Sequence, residues 1–261
     1  MQCTIINDCK DANAVGRQGS RASSLLGGSV TYVGVQNDLE AAGNLIDVLD
    51  AYDQKPGVIL VNVAPRHGAA KQWPNGTPFG SFWHGETLVI ASIDGLTLTL
   101  VKKLTLTTCI RVHDIPRVME RLVQDHTVDR ELADRIERSQ FRSFDYLPRL
   151  ASWILKGIDV PYESLRIDEI PDVPKAIWFV DNFGNCKTTI LPTDISFASG
   201  QSLELFGQLL TCVTQLKDVE DDQSAIIVGS SGLGSARLIE IVVQGGSAAS
   251  AFSLQSGSAM L

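Results

Sequence analysis

Two aspartates, Asp8 and Asp11, stand in "NDCKDAN", directly behind the apolar run that ends at Asn7. The end of the first strand is where open α/β sheets hold ligands. A dinucleotide fold would place G-x-G-x-x-G there, so that backbone N–H groups and a helix N-terminus cradle pyrophosphate. Paired carboxylates repel phosphate. They suit ribose hydroxyls and an ammonium group instead, so this turn argues against NAD or ATP and is compatible with a nucleoside lacking phosphate. The structural alternative is that Asp8 caps the following helix and Asp11 complements its dipole.

A second group lies in "WFVDNFGNCKTTI", residues 178–190. Strand-forming runs flank Asp181-Asn182-Phe183-Gly184-Asn185, which reads as a hairpin turn in which Gly184 and Asn185 tolerate positive φ. Phe183 is anomalous there, because a large ring at a loop tip gains nothing from water. Either it folds back onto its own domain, or it stacks on a planar ligand ring while Asp181 and Asn185 hydrogen-bond to polar groups. His67, in "APRHG", follows the third strand and is a candidate base or a solvated loop residue. "GSSGLGSAR", residues 229–237, lacks the Gly-Lys-Ser/Thr ending of a phosphate loop and reads as a flexible connection between strands. No G-x-S-x-G supplies an acyl-transfer nucleophile.

The formal charge of −8 over 261 residues disfavours nucleic acid as a partner and leaves a cationic small ligand open. An apolar fraction of 44% and a charged fraction of 20% are those of a soluble globular protein. Met1-Gln2-Cys3 opens straight into a strand-like run, so no secretory signal is expected. No apolar stretch approaches the roughly 18 residues of a membrane span. The five cysteines show no C-x-x-C pair and no histidine at metal-ligand spacing, which predicts free thiols, a cytoplasmic protein and no metal.

These residues need a scaffold, and the pattern supplies one. Strands are predicted over 3–7, 30–35 and 58–63, with helices over 12–26 and 38–52, the latter capped by Asp38. This βαβαβ order implies parallel strands with helices on both faces. Residues 65–84 read as loop, 87–93 and 106–112 as further strands, and 116–123, 129–138 and 146–155 as helices. "RIDEIPDVPK", residues 166–175, reads as a linker between an N-terminal domain (1–165) and a C-terminal domain (176–261). Strands over 176–180, 186–190, 203–206, 209–214, 225–228 and 238–243 suit a small barrel or sandwich. The Ser-, Gly- and Ala-rich last dozen residues read as a loosely held tail. The expected fold class is α/β: a three-layer N-terminal domain with a mostly parallel sheet, plus a smaller, antiparallel, β-barrel-like C-terminal domain.

The pieces together resemble the SAM hydroxide adenosyltransferase family, whose relatives include the fluorinase and chlorinase enzymes. "INDCKDANAVG" resembles the family's T-D-F-G-x-x-D-x-Y-V-G, and "GVILVNVAPRHG" the strand leading into V-D-P-G-V-G. "ETLVIASIDGL" fits Y-x-x-A-P-D-N-G-L. "VDNFGNCKTTI" resembles I-D-x-F-G-N-x-x-T-N, and "SARLIEIVVQGGSAA", which contains Gly245, resembles N-S-x-G-x-L-E-I-A-V-x-x-G-S-A. The resemblance implies S-adenosylmethionine as substrate or ligand, with no cofactor or metal. It implies a homotrimer, with ligand bound between the N-terminal domain of one subunit and the C-terminal domain of its neighbour. It implies that Phe183 stacks on adenine, Asn185 bonds its edge, Asp181 holds the ammonium with Asp11 nearby, Asp8 holds the ribose hydroxyls, and Ser235 sits at the methionine carboxylate.

The departures bear on chemistry. Hydroxide-transferring members position water with an aspartate, an arginine and a histidine. Here those positions fall at Ala64, near Lys71, and at Arg142. Ser143 follows, where halogenating relatives also have a serine at the halide site. Two readings therefore stand. One is an enzyme that displaces methionine at the ribose 5′-carbon, with water as nucleophile, giving adenosine and methionine. The other is a catalytically silent adenosyl-binding or sensor protein. A pocket retuned to an unrelated substrate is a third.

Overall fold

Strand β1 (Gln2–Asn7) enters helix α1 (Ala12–Leu26), followed by β2 (Val30–Gly34), α2 (Asp38–Tyr52) and β3 (Gly57–Asn62). The computed structural model describes residues 1–63 and 76–260. The first unit continues through β4 (Phe79–His84), β5 (Thr87–Ser92), α3 (Thr99–Lys103), β6 (Cys109–His113), α4 (Ile115–Gln124), α5 (Arg130–Glu137), α6 (Arg142–Asp145), α7 (Leu147–Leu155) and β7 (Glu163–Arg166). Its seven strands are ordered β2-β1-β3-β5-β4-β6-β7. The β2, β1, β3 and β5 strands run parallel, while β4, β6 and β7 join antiparallel, so the sheet is mixed.

Side chains alternate across each strand. Cys3 and Ile5 of β1 bury with Val58, Leu60, Leu88 and Ile90 against Val118, Met119, Leu150 and Ala151 of the helices on one face. Thr4 points the other way and shares a 2.8 Å hydrogen bond with the Tyr52 hydroxyl of α2. Helices therefore cover both faces, as the βαβ order implies.

Several expectations need correction. The cap of α2 is Asn37, whose side chain accepts from the Glu40 N–H at 2.9 Å. Asp38 instead accepts from the Leu96 N–H at 2.8 Å. Residues 65–84 are not all loop, because β4 pairs along its whole length with β5. The turn between them places Gly85 at φ +56°, a conformation that favours glycine. β7 was unforeseen, and it takes Arg166 out of the expected linker. Lys102 Nζ donates to the carbonyls of Asp168 and Ile170, so the following residues are also fastened to the first unit. That unit runs from Met1 to Pro171 and the second from Asp172 to Leu261.

The second unit holds β8 (Ile177–Val180), β9 (Cys186–Thr188), β10 (Ser202–Leu205), β11 (Gln208–Val213), β12 (Ser224–Leu233), β13 (Ala236–Val243) and α8 (Ala248–Phe252). The six strands are ordered β10-β11-β12-β13-β9-β8, and only β11–β12 is parallel. Residues 229–233 are not a flexible connection. They extend β12 past a register shift between Val228 and Gly232, and Arg237 of β13 donates to the Ser230 and Gly232 carbonyls. Nor is the C-terminus loose. Gly257 N–H donates to Ile177 O, Ser256 Oγ to Trp178 O, Met260 N–H to Lys175 O, and Met260 is buried.

One buried group couples this fold to pH. His113 is 1% exposed, and burial pushes it from 6.5 down to about 4. The Pro161 carbonyl opposes that shift and nearby Arg111 adds to it. Between those two values the unfolded chain holds a proton that the folded chain does not. Stability is therefore fully present above about pH 6.5 and falls as pH drops toward 4, by about 3 kcal/mol at most. Urea unfolding from pH 7 to 4 checks this. His113→Gln should flatten that part of the profile, and an unchanged slope would contradict it.

Candidate functional site

In the first unit the candidate residues gather where the parallel strands end. β1 connects to β2 on one side and pairs with β3 on the other, which makes the β1/β3 ends the switch point of the sheet. Asp8 sits there, its N–H donating to Asn62 O at 3.4 Å. The loop behind it is tied down. Asn7 Nδ2 donates to Gln18 Oε1 at 2.7 Å, Gln18 Nε2 to the Tyr32 hydroxyl at 3.1 Å, and that hydroxyl to Cys9 O at 2.5 Å. Asp11, not Asp8, caps α1, accepting from the N–H groups of Asn13 and Ala14.

Arg142 reaches the same end. Its Nη1 donates to Thr77 O at 2.7 Å and its guanidinium lies 5.4 Å from the Phe79 ring centroid. Phe79 pairs with Ser92, the last residue of β5. Burial lowers the Arg142 pKa below its ordinary value. Ser143 beside it is buried. His67, Lys71 and Ala64 lie outside the described residues.

Asp94, just past β5, received no role from sequence although it sits in the "ASIDGL" stretch. Its Oδ1 accepts from the Gly95 N–H, while its Oδ2 is buried with no hydrogen-bond partner among the described residues. An unmet buried carboxylate oxygen costs free energy unless a donor arrives. Only the structure shows this, because spacing says nothing of burial at one oxygen.

In the second unit the 181–185 turn is organised by Asp181. Its Oδ1 accepts from the N–H groups of Phe183 and Asn185, each at 2.9 Å, and its Oδ2 from Asn185 Nδ2 at 3.0 Å. The aspartate thus builds the turn as well as offering charge. Phe183 is 71% exposed, so it does not fold back onto its own unit. Gly184, at φ +83°, lies against Ser247, and its carbonyl accepts from the Ala249 N–H at 2.9 Å. Ser247 caps α8 through Ser250. The "DNFGN" turn and the "GSA" stretch, far apart in sequence, therefore form one surface element. Gly245 is exposed beside it at φ +76°, in the turn after β13.

Ser235 does not join this group. It is exposed in the turn before β13, whereas Gly245 and Ser247 follow that strand's other end. The length of β13 separates them by roughly 25 Å. Between the two ends lies a polar cluster that sequence did not single out. Lys187 Nζ donates to Ser231 Oγ at 2.8 Å and lies 3.9 Å from Glu240, over the Trp178 ring. Among the described residues no group of three His, Cys, Asp or Glu side chains could hold a metal ion, and no helix is long and apolar enough to cross a membrane. The five cysteines are free thiols.

Comparison with known proteins adds three findings. No curated protein matches the chain. The fold is that of a conserved uncharacterized protein from Thermotoga maritima, with a TM-score of 0.68 and 17% identity over 99% of this chain and 98% of that one. It is also that of a conserved hypothetical protein from Thermus thermophilus, with a TM-score of 0.65 and 19% identity over 100% of this chain and 99% of that one. Residues 175–261 match the model of the SAM hydroxide adenosyltransferase C-terminal domain, which coincides with the second unit and contains both halves of the Gly184–Ser247 element. The second unit is thus similar to the C-terminal domain of the SAM hydroxide adenosyltransferases.

Proposed function

We propose that this protein binds S-adenosylmethionine or adenosine as a homotrimer in the cytoplasm. The observation that carries the reading is the exposed Phe183 on a turn whose conformation Asp181 fixes, within a unit that matches the family's C-terminal domain. Preorganised in this way, the ring needs little ordering before it stacks on adenine. Asn185 offers its amide oxygen to the base edge. Asp181 Oδ1 and Oδ2 already accept three hydrogen bonds and retain acceptor capacity for an ammonium. In the first unit, Asp8, Asp11 and Asp94 offer carboxylates at one end of the sheet, which suits hydroxyls and cationic groups and is hostile to phosphate. Where the protein is active, methionine leaves the ribose 5′-carbon as water attacks in line. The product pair is adenosine and methionine.

Binding is measured by calorimetry and by thermal unfolding. A hundredfold excess of ligand over Kd should stabilise the fold by about 2.7 kcal/mol. Phe183→Ala should weaken SAM and adenosine alike, by roughly 0.5–3 kcal/mol. Asp181→Asn should weaken SAM more than adenosine, because only SAM carries the ammonium. Equal losses for the two ligands would remove Asp181 from that role. Absence of binding by either ligand to a protein of trimer mass in light scattering would overturn the reading as a whole.

A further inference from the structure

On one face of β4 and β6 a cleft of ≈ 340 Å³ opens against the chain that follows α7. An adjoining hollow of ≈ 320 Å³ shares Ser81, Trp83, Arg111 and Tyr162 with it. Trp83 and Tyr162 are each 43% exposed, which is unusual for rings of that size. They bound a space large enough for one small planar molecule. Arg111 lies 4.9 Å from the Tyr162 ring centroid, and Asp159, the carboxylate on the cleft's lining, is engaged by Arg121 at 3.5 Å instead.

The polar floor is directional. His113 Nδ1 lies 3.1 Å from the Pro161 carbonyl, which can only accept, so Nδ1 carries the proton. Nε2 is then an acceptor, and the Ser81 hydroxyl 2.8 Å away donates to it. Ser81 Oγ consequently presents only lone pairs to the cleft, and a ligand must bring the donor. Arg111 stands directly across from Ser81 on the neighbouring strand and asks for an anion. Aromatic walls, one fixed cation and one fixed acceptor together specify a ligand class.

We propose that this cleft binds a small aromatic carboxylate carrying a ring hydroxyl or amino donor. The carboxylate pairs with Arg111, the ring lies against Trp83 and Tyr162, and the donor meets Ser81. Ser81 and His113 are a binding pair rather than a nucleophile and its base. A histidine held down near 4 is a feeble base at neutral pH. Ser81 also sits inside a strand with neighbours on both sides, where backbone N–H groups are committed to the sheet and cannot form an oxyanion hole.

The test is titration calorimetry of the full chain with benzoate and with 2-, 3- and 4-hydroxybenzoate. At least one hydroxybenzoate should bind one per chain, about three- to tenfold tighter than benzoate. Arg111→Gln should weaken every probe about tenfold or more, and Trp83→Ala should do likewise. Both side chains are exposed, so these variants should keep the fold, which an unchanged thermal unfolding midpoint would report. Ser81→Ala should leave benzoate unchanged and erase the preference for the hydroxylated ring. The proposal is overturned if no probe binds at millimolar concentration, if Arg111→Gln and Trp83→Ala bind as the wild type does, or if Ser81→Ala retains the preference.

Discussion

Gly184→Val is expected to destabilise the second unit by about 2–5 kcal/mol, because two costs add. At φ +83° a β-branched residue is strained by about 1–2 kcal/mol or above. A side chain there also meets a close-packed neighbour: a Cβ would overlap Ser247 Oγ and approach the Ser247 Cα to 3.0 Å. Overpacking of that kind costs about 1–3 kcal/mol more. Gly184→Ala should follow the same direction with a smaller loss. Ser247→Gly combined with Gly184→Ala should recover the steric part and leave the backbone part. Hydrogen exchange resolved to residues 181–190 reads the loss locally, free of unfolding in the first unit. Protection in Gly184→Val equal to wild type would show that the turn is not docked on Ser247. Adenosine binding should fall in the same variants, since Phe183 rides on the turn that Gly184 anchors.

That docking explains why the candidate site was only partly legible in the sequence. The bounds of α1 and α2 were legible because Gly27 and the apolar spacing agree locally, although the caps are Asp11 and Asn37 and not Asp8 and Asp38. The pairing of Gly184 with Ser247 is tertiary, and nothing in either stretch alone announces it. β4 was hidden because its pairing partner, not its composition, makes it a strand. The C-terminal residues looked like a tail because Ser, Gly and Ala lack side chains that advertise burial. They are held by backbone hydrogen bonds to β8, which any residue but proline can donate. Ser235 and Gly245 share one motif in the sequence, and the strand between them keeps its two ends apart. Ser81 and His113, 32 residues apart, carried no local signal at all.

SAM hydrolysis by this protein should be slower than in a site that keeps an aspartate, an arginine and a histidine around the water, by about 10²–10⁴. Water is a poor nucleophile at neutral pH and must be oriented and relieved of a proton as it attacks. Ala64 offers no acceptor, and Lys71 offers only charge. By the resemblance, Arg142 stands where the family has its histidine; a guanidinium cannot take a proton, and this one donates to Thr77 O beside Phe79. Ser143 beside it is buried. His67, three residues past Ala64 in the sequence, has a side chain type whose ordinary pKa suits a base. Residual activity should therefore depend on it, and Ala64→Asp should raise the rate by restoring one of the missing groups. Adenosine release from SAM by wild type, His67→Ala and Ala64→Asp, with and without added chloride, reads all of these at once. Brisk wild-type turnover that His67→Ala leaves untouched would place the base or the nucleophile elsewhere. If that turnover also rose with chloride and fell in Ser143→Ala, halide attack at the 5′-carbon would replace water as the mechanism.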